Sequence, residues 1–228
     1  MRKLQTLVTA LLLTLFGVTS AQSEMAIGVT GAYALLDATG SEVEGNGKEK
    51  TTTEVDHNFG MASIFAEYSM GSVTLGLDYI PASADVSENI KSRTDVETSV
   101  TGTAAETTTS RSQKAQAEID QHFTLYAMYS LTPEIYVKAG YVTADLNTTE
   151  SLATGSKYGD ETLDGYTLGF GIQTDVGAST FMRGEYTYTD YDEIELTSSV
   201  ARTGVTTNNK VSGDIDVSQF KVSLGYKF

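Results

Sequence analysis

The carboxyl-terminal residues Phe220-Lys221-Val222-Ser223-Leu224-Gly225-Tyr226-Lys227-Phe228 alternate apolar and polar side chains without a break and stop on an aromatic ring. Successive side chains of a strand point to opposite faces, so this segment has one apolar and one polar face. The same period recurs in seven earlier segments. The first is Ile27, Val29, Tyr33 and Leu35. The second is Ala62, Ile64, Ala66 and Tyr68, blurred by Phe59, Met61 and Phe65 on its other face. Val73, Leu75, Leu77 and Tyr79 form the third; Phe123, Leu125, Ala127 and Tyr129 the fourth; Val137, Ala139 and Tyr141 the fifth. Tyr166, Leu168, Phe170 and Ile172 form the sixth, and Met182, Tyr186 and Tyr188 the seventh.

Eight two-faced strands could enclose a soluble core, but the amino end points elsewhere. Arg2 and Lys3 precede a mostly apolar stretch from Leu4 to Val18, and Thr19-Ser20-Ala21 supplies small residues for a cut before Gln22, with Ser23/Glu24 as the alternative. This is the layout of a secretory signal, too short and weakly flanked for a membrane-spanning helix. Residues 1–21 are therefore read as a cleavable signal peptide and 22–228 as one domain. Nothing after Ala21 resembles a spanning helix, so residence in a membrane must come from strands.

Composition fits an exported chain. Cysteine is absent, which removes disulfides, thiol catalysis and thiolate metal sites. There are 13 Tyr and no Trp, so an interfacial aromatic girdle has to be built from Tyr and Phe. The formal net charge is −15 and becomes two units more negative once Arg2 and Lys3 leave, which excludes nucleic acid as a partner.

The connections alternate in length. Ser69 to Ser72, Ser130 to Glu134 and Thr174 to Ala178 read as tight turns, whereas Ala38 to Asp56, Pro81 to Ile119, Leu146 to Thr162 and Asp192 to Ile215 are long and polar. Short periplasmic turns opposite long outward loops are the pattern of a transmembrane barrel. Glu193-Ile194-Glu195-Leu196 and Asp214-Ile215-Asp216-Val217 alternate as well, which favours a protruding hairpin in the fourth long connection.

With the export signal, the eight strands, the segments Ile135 to Tyr141 and Met182 to Tyr188, and the terminal Tyr226 and Phe228, the chain resembles the small outer-membrane β-barrel superfamily of the OmpA transmembrane domain, OmpX and the opacity proteins. The resemblance implies an all-β, eight-stranded antiparallel up-and-down transmembrane barrel in the outer membrane of a Gram-negative bacterium. It also implies a signal for the barrel-assembly machinery in Phe220, Val222, Leu224, Tyr226 and Phe228. The expected surroundings are outer-membrane lipid and lipopolysaccharide, together with a surface ligand of unknown identity. A monomer without cofactor is expected.

Candidate chemistry is sparse. His57 and His122 are the only histidines, near Asp56 and Asp120, but no motif joins them into a hydrolytic site. Asp190, Asp192, Glu193 and Glu195 offer oxygen ligands without calcium-loop spacing, and read as a solvated rim. The more specific signal is parity. Glu67, Asp78, Lys138, Arg183, Glu185 and Lys221 all occupy the face opposite the lipid-facing residues. A charge on the lipid face would cost roughly 2–4 kcal/mol near the midplane. Three acids and three bases predict a lumen ion-pair network that plugs the barrel, with Arg183 and Lys138 as hubs. The expected function is accordingly non-enzymatic: a plugged barrel presenting acidic, Ser/Thr-rich loops for envelope integrity or surface interaction. The alternative is a narrow porin-like channel or a carrier for small solutes.

Overall fold

The computed structural model describes residues 23–43, 45, 50–86, 91–99, 107–151, 157–201 and 206–228. The leader at 1–21 and its cleavage point lie outside them. Eleven strands follow in chain order: β1 (Ser23–Val43), β2 (Lys50–Met70), β3 (Val73–Ile80), β4 (Ala84–Asp85), β5 (Lys91–Ser99), β6 (Thr107–Ser130), β7 (Ile135–Ser151), β8 (Glu161–Asp175), β9 (Thr180–Tyr191), β10 (Ile194–Thr197) and β11 (Lys210–Lys227). Eight of them, β1-β2-β3-β6-β7-β8-β9-β11, are joined antiparallel in that order. β1 then closes on β11 from Ala26↔Lys227 to Val43↔Lys210, which leaves an eight-stranded barrel.

The period-two pattern sorts the side chains as a membrane wall requires. Tyr166, Leu168 and Val222 are 62–65% exposed on the outer face, whereas Thr187, on the inner face, is fully buried. Rings of neighbouring strands meet on the outside: Phe170 and Tyr186 at 5.8 Å, Tyr186 and Phe220 at 5.1 Å. These supply the Tyr/Phe belt that a chain without Trp needs. The second segment departs from its expected parity at one point. Tyr68 is only 5% exposed, held between its directly opposed neighbours Met25 and Leu75.

The short turns fall where expected. Gly71 takes a positive φ of 62° between β2 and β3, a conformation that glycine adopts without steric cost. At the other end the strands run on: β1 and β2 stay paired up to Val43↔Lys50, and β10 pairs β11 from Ile194↔Gly213 to Thr197↔Lys210. Much of what reads as long polar connection is thus continued strand.

Two irregularities shape the wall. β6 carries a bulge between Asp120 and Phe123, with Gln121 at a φ of 47°, and it shifts the inward face from Ile119 to His122 and Thr124. β3 is short. Its pairing with β2 ends at Ile64↔Tyr79, while β4 and β5 pair with β6 alone. Among the described residues, β2 above Ile64 therefore has a partner on only one edge.

Candidate functional site

The lumen has two storeys. The upper one, toward the long connections, is apolar: Ala34, Leu36, Ile119, Val142, Ala144, Leu146, Leu163, Tyr191, Ile215 and Val217 form one buried cluster. Below it stand the charges that parity places inside. Glu67, Asp78, Lys138, Arg183 and Glu185 are buried and Lys221 is half-buried.

Two ion pairs cross the lumen between strands that are not neighbours. Arg183 of β9 forks onto Glu67 of β2, with Nη1 2.7 Å from Oε1 and Nη2 2.9 Å from Oε2. Lys138 of β7 donates to Oε1 of Glu185 on β9 at 3.0 Å. Two tyrosines interlock the pairs. The Tyr126 hydroxyl donates to Glu67 at 2.6 Å while its ring lies 3.9 Å beneath the Lys138 ammonium. The Tyr136 hydroxyl donates to Glu185 at 2.7 Å while its ring faces the Arg183 guanidinium at 5.3 Å. Each tyrosine thus serves the carboxylate of one pair and the cation of the other. Gln173 accepts from Arg183 Nη2 at 2.8 Å, so the guanidinium has a further partner. A bidentate, fully partnered arrangement is the form in which buried charge is tolerated.

The expected six-member network is therefore narrower than its parity suggests. Asp78 accepts from the Ser63 hydroxyl at 2.8 Å rather than from a cation. Lys221 stands opposite Glu185 in register, yet both oxygens of Glu185 are taken by Lys138 and Tyr136. Among the described residues Lys221 makes no hydrogen bond or ion pair.

Glycines make room for the floor's rings. Gly76 stands opposite Tyr126, Gly171 opposite Tyr136, Gly28 opposite Phe65 and Gly225 opposite Phe181. At each glycine an added Cβ would run into the opposed ring. The tyrosine clamps were absent from the sequence-based expectation. Their signal is an aromatic residue on the polar parity of its strand, as at Tyr126 between Leu125 and Ala127.

The histidines do not assemble a hydrolytic site with their neighbouring aspartates. His122 uses Nε2 on the Tyr191 hydroxyl at 2.9 Å, and His122 Nδ1 and Asp120 Oδ1 are both buried without a partner. His57 stacks on Phe59. Asp192, Glu193 and Glu195 are exposed, and no group of three or more His, Asp or Glu side chains among the described residues is placed to hold a metal. Asp190 instead joins a register row with Asp216, Asp37 and Asp56 across β9, β11, β1 and β2. This row stands just beyond the apolar belt that ends at Leu35. A hydrogen bond with Asp56, some desolvation and the charges of Asp56 and Asp216 raise the Asp37 carboxyl above its ordinary range. The terminal residues Phe220, Val222, Leu224, Tyr226 and Phe228, expected to carry an assembly signal, are all exposed.

A closed antiparallel wall with an apolar outer face around a lumen that carries a charged floor defines an integral outer-membrane barrel. The chain belongs to the outer membrane protein beta-barrel domain family, whose model matches residues 8–228, and its place is the outer membrane of a Gram-negative cell. Among solved structures it is similar to the outer membrane protein OprG from Pseudomonas aeruginosa, at 15% identity and a TM-score of 0.52 over 90% of this chain and 96% of that one. It is also similar to the outer membrane protease OmpT from Escherichia coli, at 9% identity and a TM-score of 0.52 over 92% and 99%. Ail, the attachment invasion locus protein of Yersinia pestis, is a third such structure, at 10% identity and a TM-score of 0.42 over 90% and 99%. The first two likenesses, this distant in sequence, establish the fold alone. No curated protein matches the sequence.

Proposed function

We propose that this protein is a non-enzymatic, non-conducting barrel whose closed lumen serves as a rigid membrane base for acidic, Ser/Thr-rich strand extensions at the cell surface. Their role is envelope integrity or surface interaction. The observation that carries this reading is the pair of salt bridges spanning the lumen and interlocked by Tyr126 and Tyr136. Eight-stranded barrels have interiors that side chains can just fill, and here two ion pairs and their tyrosines occupy the floor. Single-channel recording in planar bilayers tests it. The folded chain should be silent, and steady unitary currents from the unaltered protein would refute it.

A second reading, carriage of small apolar solutes, draws on the apolar upper storey, which a polar pore would not need. Uptake of a hydrocarbon by cells with and without the protein separates the two readings, since only the carrier accelerates it.

A further inference from the structure

Three observations converge on the inner rim of the wall beside β2. The first is the missing pairing. From Ser63 up to Lys50 the β2 backbone pairs with β1 and, among the described residues, with no strand on its other edge, where the Ser63 hydroxyl reaches Asp78 of β3. The chain beyond β3 turns away at Pro81 and resumes as β4 and β5, which pair with β6. Unpaired backbone at membrane depth is tolerated only where it is covered by protein or lines a cavity that water can reach. A side opening at this edge therefore has a polar rim as well as access to hydrocarbon.

The second observation is the apolar surface behind that edge. Phe59 and Met61 from β2, Val86 beyond β4, and Ala117 from β6 are only partly buried, although each packs on the apolar cluster. These four flank the gap, and Ala38 and Ile194 are the cluster's partly buried members away from it, whereas Leu36, Leu163 and Val142 on the closed wall are about 1% exposed.

The third is Lys221. One register row runs Met61↔Ala32↔Lys221 across β2, β1 and β11. Only a methyl group separates the lysine from the rim residue. An open groove of about 1150 Å³ runs over the outer wall between the exposed Phe170, Phe220 and Tyr33, and its lining extends to Lys221, Ala32 and Met61 and, at the gap, to Gly60, Ala62 and Ala82. The acids nearest the ammonium are already engaged, Glu185 by Lys138 and Tyr136, Asp78 by Ser63. An ammonium withdrawn from bulk water without a counter-charge in contact is costly, and an anion beside it removes that cost.

We infer that the gap between β2 and β4 admits a long-chain monocarboxylate from the outer leaflet, whose carboxylate pairs with Lys221 and whose tail covers Phe59, Met61, Val86 and Ala117. The site stands level with the ion-pair floor but uses neither of its pairs, so it holds whether or not the barrel conducts. An amphiphile suits an opening with a hydrated backbone edge and apolar flanks better than a pure hydrocarbon does.

The test uses the folded chain in lipid nanodiscs with radiolabelled dodecanoate and, as a matched probe without charge, dodecanol. Saturable dodecanoate binding is expected, and Lys221→Met should weaken it at least roughly tenfold while leaving dodecanol uptake unchanged. Equal dodecanoate affinity in the variant, or no saturable binding by the unaltered chain, overturns the inference. Because Lys221→Met could impair folding, a second arm keeps the lysine. Gly60→Cys/Ala82→Cys, in a chain that otherwise has no cysteine, is bridged by a short bis-maleimide after folding. Bridging should abolish dodecanoate exchange, and undiminished exchange through the stapled wall would overturn the proposed route. A silent bilayer recording leaves this result untouched, so the two proposals fail separately.

Discussion

Arg183 and Glu67 meet across the barrel, from β9 and β2, with two strands between them along the wall and both N–O distances under 3 Å. The pair ties opposite sides of the cylinder rather than adjacent strands. Removing either partner leaves the other charge buried, which costs about 3–5 kcal/mol. Arg183→Ala should lower the denaturant midpoint of the folded barrel accordingly and open a measurable ion leak. The double replacement Arg183→Met/Glu67→Met, with no orphaned charge, should recover most of the stability. Equal midpoints for Arg183→Ala and the unaltered chain would rule out a structural pair.

The tyrosine clamps predict a graded series. Tyr126→Phe keeps the ring under Lys138 and loses the hydroxyl bond to Glu67, for about 1.5–3 kcal/mol. Tyr126→Leu also forfeits the cation–π contact and should cost about 0.5–2 kcal/mol more. Urea titration of both variants in the same micelle orders them, and a phenylalanine variant no weaker than wild type contradicts the clamp.

Gly225→Ala places a methyl group against the Phe181 ring across β11 and β9. The expected loss is about 1–3 kcal/mol, the cost of overpacking a filled site. Phe181→Leu introduced alongside should relieve it. If the two substitutions simply add, the ring is not what the glycine accommodates.

Asp37 supplies a pH dependence. Its raised pKa means that the native state holds this proton more tightly than the unfolded chain does. Its contribution to stability therefore falls as pH rises from the ordinary carboxylate range through the raised value, and stays low above it. Asp37→Asn should raise the thermal midpoint at neutral pH, and the gain should shrink as pH drops and as salt screens the Asp56 and Asp216 charges. Heat-modifiability on gels across pH gives the readout; a gain that grows on acidification has the wrong sign.

Deleting Tyr226 to Phe228 removes the Tyr226↔Ile27 rung and the bond from the Phe228 amide to the Met25 carbonyl at 2.9 Å. Outer-membrane insertion should fail, and normal amounts of folded, heat-modifiable protein after the deletion would count against the terminal strand as an assembly signal.

Much of the architecture was legible because a membrane wall leaves side chains only two directions. Charge parity therefore identified which face Arg183, Glu185 and Lys138 occupy. It could not identify their partners, since contacts across a lumen depend on strand tilt and stagger that a linear pattern does not carry. Lys221 shows the limit: it is half-buried opposite Glu185 in register, yet Glu185 is held by residues from β7. The blurred second segment had a physical cause. Phe59, Met61 and Phe65 are lumen residues, and Phe65 fits because Gly28 stands opposite. The bulge at Gln121 was hidden because a single extra residue leaves the composition of β6 unchanged while exchanging its faces.

The seam between β1 and β11 joins the two ends of the described chain along its whole length, from Ala26↔Lys227 to Val43↔Lys210. Until that last zipper closes, seven paired neighbours form only an open ribbon with two exposed margins, and a cross-lumen tie such as Arg183–Glu67 has no fixed span to bridge. The interior is therefore a matter of circumference: Lys138–Glu185 needs only the β7–β9 stretch of wall, whereas Arg183–Glu67 gains its span from the ring.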